Sequence, residues 1–492
     1  MLLSTIPSEE VLFHPSSGSD WNGRVFEWNH DIYRAIGPCY VDVLAKLLHE
    51  GVLRKLTEQG LLIQTEVTPL HLDGYPMVVK HRRLPFVSYA AEWSATMMKD
   101  VALLLIDLER ELVPFGLSNH DVNPWNVLFD WTKPIFVDLG AIMPLETDTI
   151  WPATKRNAFW PAYDQFCQLI LYPLYLMSWG HARIARSLLN DYKGVLKAEF
   201  LKLSPHAPCR HQTALPQLGR SVARRAAQMA QRFLPQTVRS VVKTRLLRER
   251  IAAPGPKPDI ASRLRFLDRC RQEVESIKLE PSDRYWSDYY NAFHGGQVPP
   301  FNETPEWTVK NHNVFKILRA LGPQTILDMG SNTGWYSQLA ATNGNQVVAF
   351  DTDETCVDQL YYRARTNNLA VLPLVMDFRS PSPGAGPCNN WLLPATERLQ
   401  CDMVLALAVV HHLVSKRYLT FGQIAQTLSM FAKRRVLVEF MPPEDQYVRD
   451  WRTREFDWYT TDNFLSSLKQ HFSRLQILES YPSPRKLILC ER

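Results

Sequence analysis

The stretch that most constrains this chain is Thr325-Ile326-Leu327-Asp328-Met329-Gly330-Ser331-Asn332-Thr333-Gly334-Trp335: an apolar run ending in an acid, then a turn with two glycines. It predicts a strand, a tight loop and a helix beginning near Trp335, with the N–H groups of the helix start free to meet a ligand. Gly330 and Gly334 carry no Cβ, so the main chain can come close to that ligand. The pattern is D-x-G-x-N-x-G. A dinucleotide site would instead want G-x-G-x-x-G, with a pyrophosphate resting on the helix N-terminus. An acid just before the first glycine suits a cationic group better than a phosphate, and the methionyl ammonium of S-adenosylmethionine is such a group.

Four further apolar runs follow in order. Gln346-Val347-Val348-Ala349-Phe350-Asp351 ends in an acid about one βαβ step after Asp328, where a carboxylate can grip ribose hydroxyls. Leu372-Pro373-Leu374-Val375-Met376-Asp377-Phe378 carries a third acid, suited to the adenine amino group. Asp402 to His412 reads as a fourth run and Val436-Leu437-Val438-Glu439-Phe440 as a fifth. Strands alternating with helical stretches predict an α/β fold, a parallel sheet covered on both faces. Acids at successive strand ends fit the crevice rule for such sheets. Any one of them read alone is a turn or cap residue; the ordered series is what points to a site.

On these residues, the chain from about 310 to 492 resembles the class I S-adenosylmethionine-dependent methyltransferases, a Rossmann-like fold. The resemblance implies S-adenosyl-L-methionine as cofactor, held by Asp328, Gly330, Asn332, Gly334, Asp351 and Asp377. It assigns Val409-Val410-His411-His412-Leu413 to the motif after strand four, and the segments 475–478 and 486–490 to a terminal antiparallel hairpin. Asn332 stands where many members have Gly. Asn tolerates left-handed backbone angles better than most residues, so the loop can survive the exchange.

A length of 492 residues predicts two or three domains. With 46% hydrophobic and 21% charged residues the chain is globular, and a net charge of +5 is too mild to imply nucleic acid. The eight cysteines include no C-x-x-C pair, so no metal site and no disulfide framework is expected. No secretory pattern opens the chain and no apolar run reaches the ~20 residues that span a bilayer, which makes the cytoplasm the expected location.

The first 60 residues say little beyond a helical stretch from Tyr40 to Leu56. Tyr75 to Lys80 reads as a strand and Glu92 to Leu112 as a long buried helix. Ser118-Asn119-His120-Asp121-Val122-Asn123-Pro124-Trp125-Asn126 follows, then Pro134-Ile135-Phe136-Val137-Asp138-Leu139-Gly140. These resemble the catalytic loop and metal-binding triplet of protein kinases: Asp121 to Asn126 has the H-R-D-L-x-x-x-N spacing, and Asp138 stands where D-F-G begins. The resemblance would make Asp121 the base and Asn126 and Asp138 magnesium ligands. No G-x-G-x-x-G precedes them, and Lys80 leaves no room for a helix carrying its Glu partner. A kinase-like α+β scaffold without activity is therefore expected, with chance similarity and real phosphotransfer as the alternatives.

Trp151 to Met177 is aromatic-rich and predicts a buried helix. From 210 to 250 basic residues dominate; they predict a solvated helical face or a weak contact with a membrane surface or polysaccharide. Ala252-Ala253-Pro254-Gly255-Pro256 marks a linker, Ser262 to Ile277 a helix, and Tyr285-Trp286 either a cover for the cofactor or core. The expected division is 1–204, kinase-like; 205–261, basic segment and linker; and 262–492, methyltransferase.

Taken in order, these motifs, with Trp160-Pro161-Ala162-Tyr163-Asp164-Gln165-Phe166 and Glu439-Phe440-Met441-Pro442-Pro443-Glu444-Asp445, resemble a bacterial family of two-part methyltransferases that includes a rhizobial host-specific nodulation protein, the NoeA type. That resemblance implies a nodulation signal or surface saccharide as acceptor. Methyl transfer needs alignment more than acid–base power. Where a base is needed, His411 and His412 are the candidates, with Glu439 beside them. The alternative for the histidines is a purely structural part in the loop. Three readings result: a methyltransferase with a non-catalytic partner domain, a bifunctional kinase–methyltransferase, and a non-enzymatic cofactor-binding scaffold.

Overall fold

The computed structural model describes residues 4–18, 20–146, 157–203, 257–279 and 299–492. The basic stretch 210–250, most of the linker and the Tyr285-Trp286 aromatics lie outside the described residues.

The first half opens with an antiparallel sheet. Its strands are Leu12–Phe13 (β1), Gly23–Trp28 (β2), Asp31–Ile36 (β3), Thr65–Val67 (β4) and Met77–His81 (β5), in the order β1-β2-β3-β5-β4. Between β3 and β4 run two short helices, Val41–His49 (α1) and Val52–Glu58 (α2). Gly51, at φ 70°, separates them, which is why the expected single helix is broken. The long helix Ala95–Leu112 (α3) is capped by Ser94 and buries Met97, Met98, Val101, Leu105 and Leu108. A hairpin of Val127–Asp130 (β6) and Lys133–Phe136 (β7) lies beyond it. Residues 163–178 form one mostly buried helical run with a π-turn at Cys167–Leu171, as the aromatic-rich sequence predicted for that part. Ala182–Leu188 (α4) follows.

Helix Ile260–Ser276 (α5) packs on α3: Arg271 Nη1 lies 2.6 Å from Asp107 Oδ2, Arg110 pairs with Asp268, and Phe266 stacks on Phe159 with centroids 5.1 Å apart.

The second half is a seven-stranded sheet. Thr325–Met329 (β8), Gln346–Asp351 (β9), Val371–Val375 (β10), Cys401–Ala406 (β11) and Ala432–Phe440 (β12) are parallel; Arg474–Glu479 (β13) and Lys486–Glu491 (β14) are antiparallel. The order is β10-β9-β8-β11-β12-β14-β13. It reverses direction beside β8, the switch point at which open α/β sheets bind ligands. The helices used below are Val309–Leu321 (α6), Trp335–Thr342 (α7), Glu354–Thr366 (α8), Val410–Ser415 (α9) and Phe421–Phe431 (α10). The strand interiors are near-continuous apolar runs because both faces are covered. One expectation needs correction. The fourth run does not extend to His412: β11 stops at Ala406, Ala408 sits at φ 56°, and α9 begins at Val410, so both histidines are helical.

The halves share a core. Trp93 and Phe129 from the first pack with Tyr361, Leu372 and Leu374 from the second in one apolar cluster. Among the described residues no helix is long and apolar enough to cross a membrane.

Candidate functional site

The loop after β8 is shaped by three left-handed residues, Gly330 (φ 67°), Asn332 (φ 51°) and Gly334 (φ 75°). Asn332 adopts the conformation that the exchange for Gly demands. The glycines are needed for space as well. A Cβ on Gly330 would fall 2.5 Å from Val409 Cγ1, and one on Gly334 would overlap Leu360 of α8. The amides of Gly330 and Ser331 both donate to Phe350 O, and Asn332 N–H donates to Asp351 Oδ2 at 2.8 Å. The loop is thus fastened to the neighbouring strand, and its shape is preset.

Asp328 is buried beneath the loop and accepts from Ser337 Oγ at 2.5 Å. Burial pushes its carboxyl up to about 6. Asp351 is raised as well, again by burial, although the amides of Asp353 and Asn332 pull the other way. Asp377 is more open: burial raises it, but Arg379, with Nη2 3.0 Å from Oδ2, holds its carboxyl below the usual range. Beside it, a groove of about 440 Å³ is lined by Phe378, Arg379, Pro381, Gln423 and Met430. No glycine-loop residue lines that groove.

The predicted cofactor residues therefore share one edge of the sheet. Buried polar atoms without a hydrogen-bond partner gather there too: Ser331 Oγ, Asp353 Oδ2, Thr355 Oγ1 and His411 Nδ1. Sealed polar atoms are normally satisfied, so this group suits a polar ligand. A nucleoside with a cationic tail fits the donor set. Asp351 and Asp353 can accept from hydroxyls, Asp328 carries negative charge for an ammonium, and the glycine loop gives close main-chain approach.

Across the crevice, His411 is buried and His412 lies against it, ring centroids 4.0 Å apart. Burial, with His412 and then Arg485 adding, drives His411 down to about 2; burial, with Lys416 adding, takes His412 to about 4. Both rings stay neutral at physiological pH. Glu439, at the end of β12, is wholly buried, with Lys310 Nζ 2.6 Å from Oε2 and Ser480 Oγ 2.5 Å from Oε1. Its two oxygens are taken, an arrangement that anchors rather than accepts protons. Lys310, Ser480 and Arg485 were not foreseen. They come from α6 and from the turn between β13 and β14, far from any motif.

The first half has a second cluster of acids. Asp121 accepts from Gln165 Nε2 at 2.7 Å and from the amide of Asn123, while Asn126 Nδ2 donates to Asp121 O. Burial raises the Asp121 carboxyl, and Asp138 raises it further. Arg34 on β3 lies among these acids, 2.7 Å from Asp138 Oδ1 and 3.0 Å from Asp20 Oδ2. Both carboxylates hold its charge against the opposing effect of burial. A Cβ on Gly140 would fall 2.7 Å from Arg34 Nη1, so the acids close tightly on the guanidinium.

Here the sequence reading is corrected. Lys80 is not the cation of this cleft: it sits on β5 and pairs with Asp31 at 2.7 Å. Arg34 is the cation there; its partners are Asp20 and Asp138, and no acid of α1 or α2 pairs with it among the described residues. A lone Arg in the strand-like Asp31-Ile32-Tyr33-Arg34-Ala35-Ile36 was the available signal.

The two clefts are joined by α8. Glu354, three residues after Asp351, accepts from Ala95 N–H at the start of α3 (2.8 Å) and from Arg186 of α4 (2.6 Å). Asp358 meets Ser94, and Arg365 pairs with Asp100 at 2.6 Å. The Tyr361 hydroxyl is shared between Asp100 Oδ2 (2.7 Å) and Thr132 O (2.8 Å), in the turn that leads to Asp138. Next to it, buried Arg398 pairs with buried Glu92.

No family model matches the sequence. Over 463 residues, 92% of this chain and 90% of the relative, it is 26% identical to the nodulation protein NoeA of Rhizobium meliloti strain 1021. The similarity to the NoeA type drawn from the ordered motifs therefore runs through both halves. Among solved structures, the bifunctional kinase-methyltransferase WbdD aligns with 19% identity and a TM-score of 0.29, covering 40% of this chain and 44% of that one. Magnesium protoporphyrin IX methyltransferase from Synechocystis PCC 6803, with bound SAM, aligns with 15% identity and a TM-score of 0.28, covering 42% and 94%. At these scores the structural likenesses add nothing to the topology described above.

Proposed function

We propose that this chain is an S-adenosylmethionine-dependent methyltransferase whose second half carries the reaction and whose first half is a non-catalytic, kinase-like partner. The observation that carries the reading is the convergence at one switch point of a preset glycine loop, Asp328, Asp351 and a set of sealed polar atoms awaiting partners. S-adenosylmethionine, when bound, supplies an electrophilic methyl group on a sulfonium whose thioether leaves neutral. The chain's own work is alignment. Asp351 orients the nucleoside, Asp328 draws the ammonium inward, and the packing of Leu360 and Val409 against the glycines fixes the loop. His411, neutral and weakly basic, stands beside the acceptor with a buried Nδ1 that the chain leaves without a partner. His412 lies against its ring, and Glu439, through Lys310, steadies that wall of the crevice.

The relation to a nodulation protein supports a nodulation signal or surface saccharide as acceptor. Magnesium-dependent phosphotransfer is the second reading, because Asp121, Asn126 and Asp138 do approach one another. Arg34 weighs against it: its guanidinium already neutralises Asp138, where a magnesium ion would have to bind.

Calorimetric titration of the full chain with S-adenosylmethionine and, separately, with Mg-ATP tests the proposal. Binding of the first, weakened about 10- to 100-fold in Asp351→Ala, with no heat from Mg-ATP, is expected. Failure of wild type to bind S-adenosylmethionine would remove the proposal. Mg-ATP binding abolished by Asp138→Ala would install the bifunctional reading instead.

A further inference from the structure

The acceptor side of the crevice has an unusual balance of charge. Arg485 lies immediately before β14, whose Lys486 pairs with Phe440, the last residue of β12. That places it at the C-terminal edge of the parallel strands, the edge on which His411 stands, and its charge is one of those that depress the His411 ring. Arg485 is nine-tenths buried; its Nε donates to Asp445 Oδ2 at 2.8 Å, and its guanidinium carbon lies 5.5 Å from the centroid of the Tyr447 ring. Among the described residues its two terminal nitrogens donate to nothing. They are also absent from the sealed, unpartnered atoms, so they are reachable from outside. An arginine held rigid by its stem, with its terminal nitrogens still free, is the arrangement that receives a carboxylate or phosphate. Lys310 adds a second cation at the same edge. One carboxylate oxygen of Glu439 engages its Nζ, which also lies 5.2 Å from the centroid of the Tyr336 ring.

A second observation points the same way. A neutral hydroxyl acceptor must lose a proton when methylated, and among the described residues of this edge no side chain is placed to take it. Glu439 is committed to Lys310 and Ser480, Asp445 to Arg485, and the two histidines are buried neutral with little basicity. An acceptor oxygen that already carries negative charge has no proton to lose.

Resting on the methyltransferase reading, we propose that the methyl acceptor is an anionic oxygen, of a carboxylate or a phosphate, seated on the terminal nitrogens of Arg485 with Lys310 beside it. The oxyanion forms the new O–C bond with its own lone pair. The C–S bond breaks with its electrons passing to sulfur, and the negative charge of the acceptor cancels the positive charge of the sulfonium. No proton moves. Arg485 sets both where the acceptor lies and which acceptors are admitted, because a neutral alcohol would leave its fork unpaired.

The test follows the arginine side-chain Nε–H resonances of the full chain labelled with 15N-arginine, with inorganic phosphate and acetate as separate probes. A saturable shift of the Arg485 resonance is expected with phosphate if the acceptor is a phosphate, and with acetate if it is a carboxylate. Arg485→Lys, which keeps the charge but not the fork, is expected to weaken the saturation about tenfold, read from the resonances of neighbouring residues. Binding of S-adenosylmethionine by the variant certifies its fold. Should the variant fail that check, Arg485→Met with Asp445→Asn, which removes the pair together, takes its place. Absence of saturation with both anions, or equal saturation in the variant, overturns the anionic acceptor even if S-adenosylmethionine binds. Saturation at Arg485 in a chain that does not bind S-adenosylmethionine keeps the anion site and removes the methyltransferase.

Discussion

In the first half, Asp20 and Asp138 close on Arg34 with Asp121 behind them; in the second, Asp328 and Asp351 converge and, among the described residues, no cation bonds to either. Both clusters are buried, so both carry a desolvation cost. The first offsets it internally with a guanidinium. The second offsets it only in part, with main-chain amides and one hydroxyl, and in the proposed reading leaves the remainder to a ligand. A carboxylate cluster becomes a binding site only when the chain withholds the cation it could have supplied.

The strongest way to break this comparison is Arg34→Met. It leaves the half-buried carboxylates of Asp20 and Asp138 beside each other without compensation, and a loss of about 3 kcal/mol is expected in denaturant unfolding. Partial recovery by manganese or magnesium would sharpen the point, since a divalent cation could then enter; an unchanged midpoint would mean that the guanidinium is idle. Next in size is Glu354→Ala, which strips Arg186 and the Ala95 amide of their acceptor. A loss of about 2 kcal/mol is expected, accompanied by weaker S-adenosylmethionine binding because Asp351 is only three residues away. Lost stability with unchanged binding would confine Glu354 to the seam between the halves.

Smaller still is the pH effect. Asp328 ionises only above about 6. With its pKa raised in the folded protein, the stability it contributes is present below the ordinary aspartate range and lost as pH rises through about 6. Ligand binding has the opposite slope, because an ammonium needs the carboxylate. Affinity for S-adenosylmethionine should fall up to about tenfold per unit as pH drops below about 6, and a flat calorimetric profile from 5 to 7 would detach Asp328 from the ligand. The smallest effect belongs to Lys80→Ala, which touches an exposed pair with Asp31. Neither the melting temperature nor ligand binding should change; a marked loss would return to Lys80 the role that Arg34 holds.

Legibility in the sequence followed locality. The glycine loop, the acids at the ends of β8 and β9 and the terminal hairpin were readable because each is a run of neighbours with a fixed period. Asn332 was readable because its backbone demand is intrinsic. Arg34 and Arg485 were not: each matters through partners distant in the chain, Asp138 for one and Asp445 for the other. The break at Ala408 was missed because nothing in Leu405-Ala406-Leu407-Ala408-Val409-Val410 distinguishes a strand that continues from one that turns into a helix. Of the first sheet only Met77–His81 was read; the strands Leu12–Phe13, Gly23–Trp28, Asp31–Ile36 and Thr65–Val67 were missed because they are short and their alternation is interrupted by polar residues.

Helix α8 begins beside the residue that would hold the ribose and ends against the turn that leads to the other cleft. A residue anywhere along it answers to two neighbours at once, so drift in one half must be matched in the other or the seam loosens. Such a helix makes the pair a single unit of inheritance: a duplicated or transplanted second half would arrive with Glu354, Asp358 and Tyr361 facing water and an open flank beside β10. The first half covers that flank, through Ala95, Arg186 and Asp100.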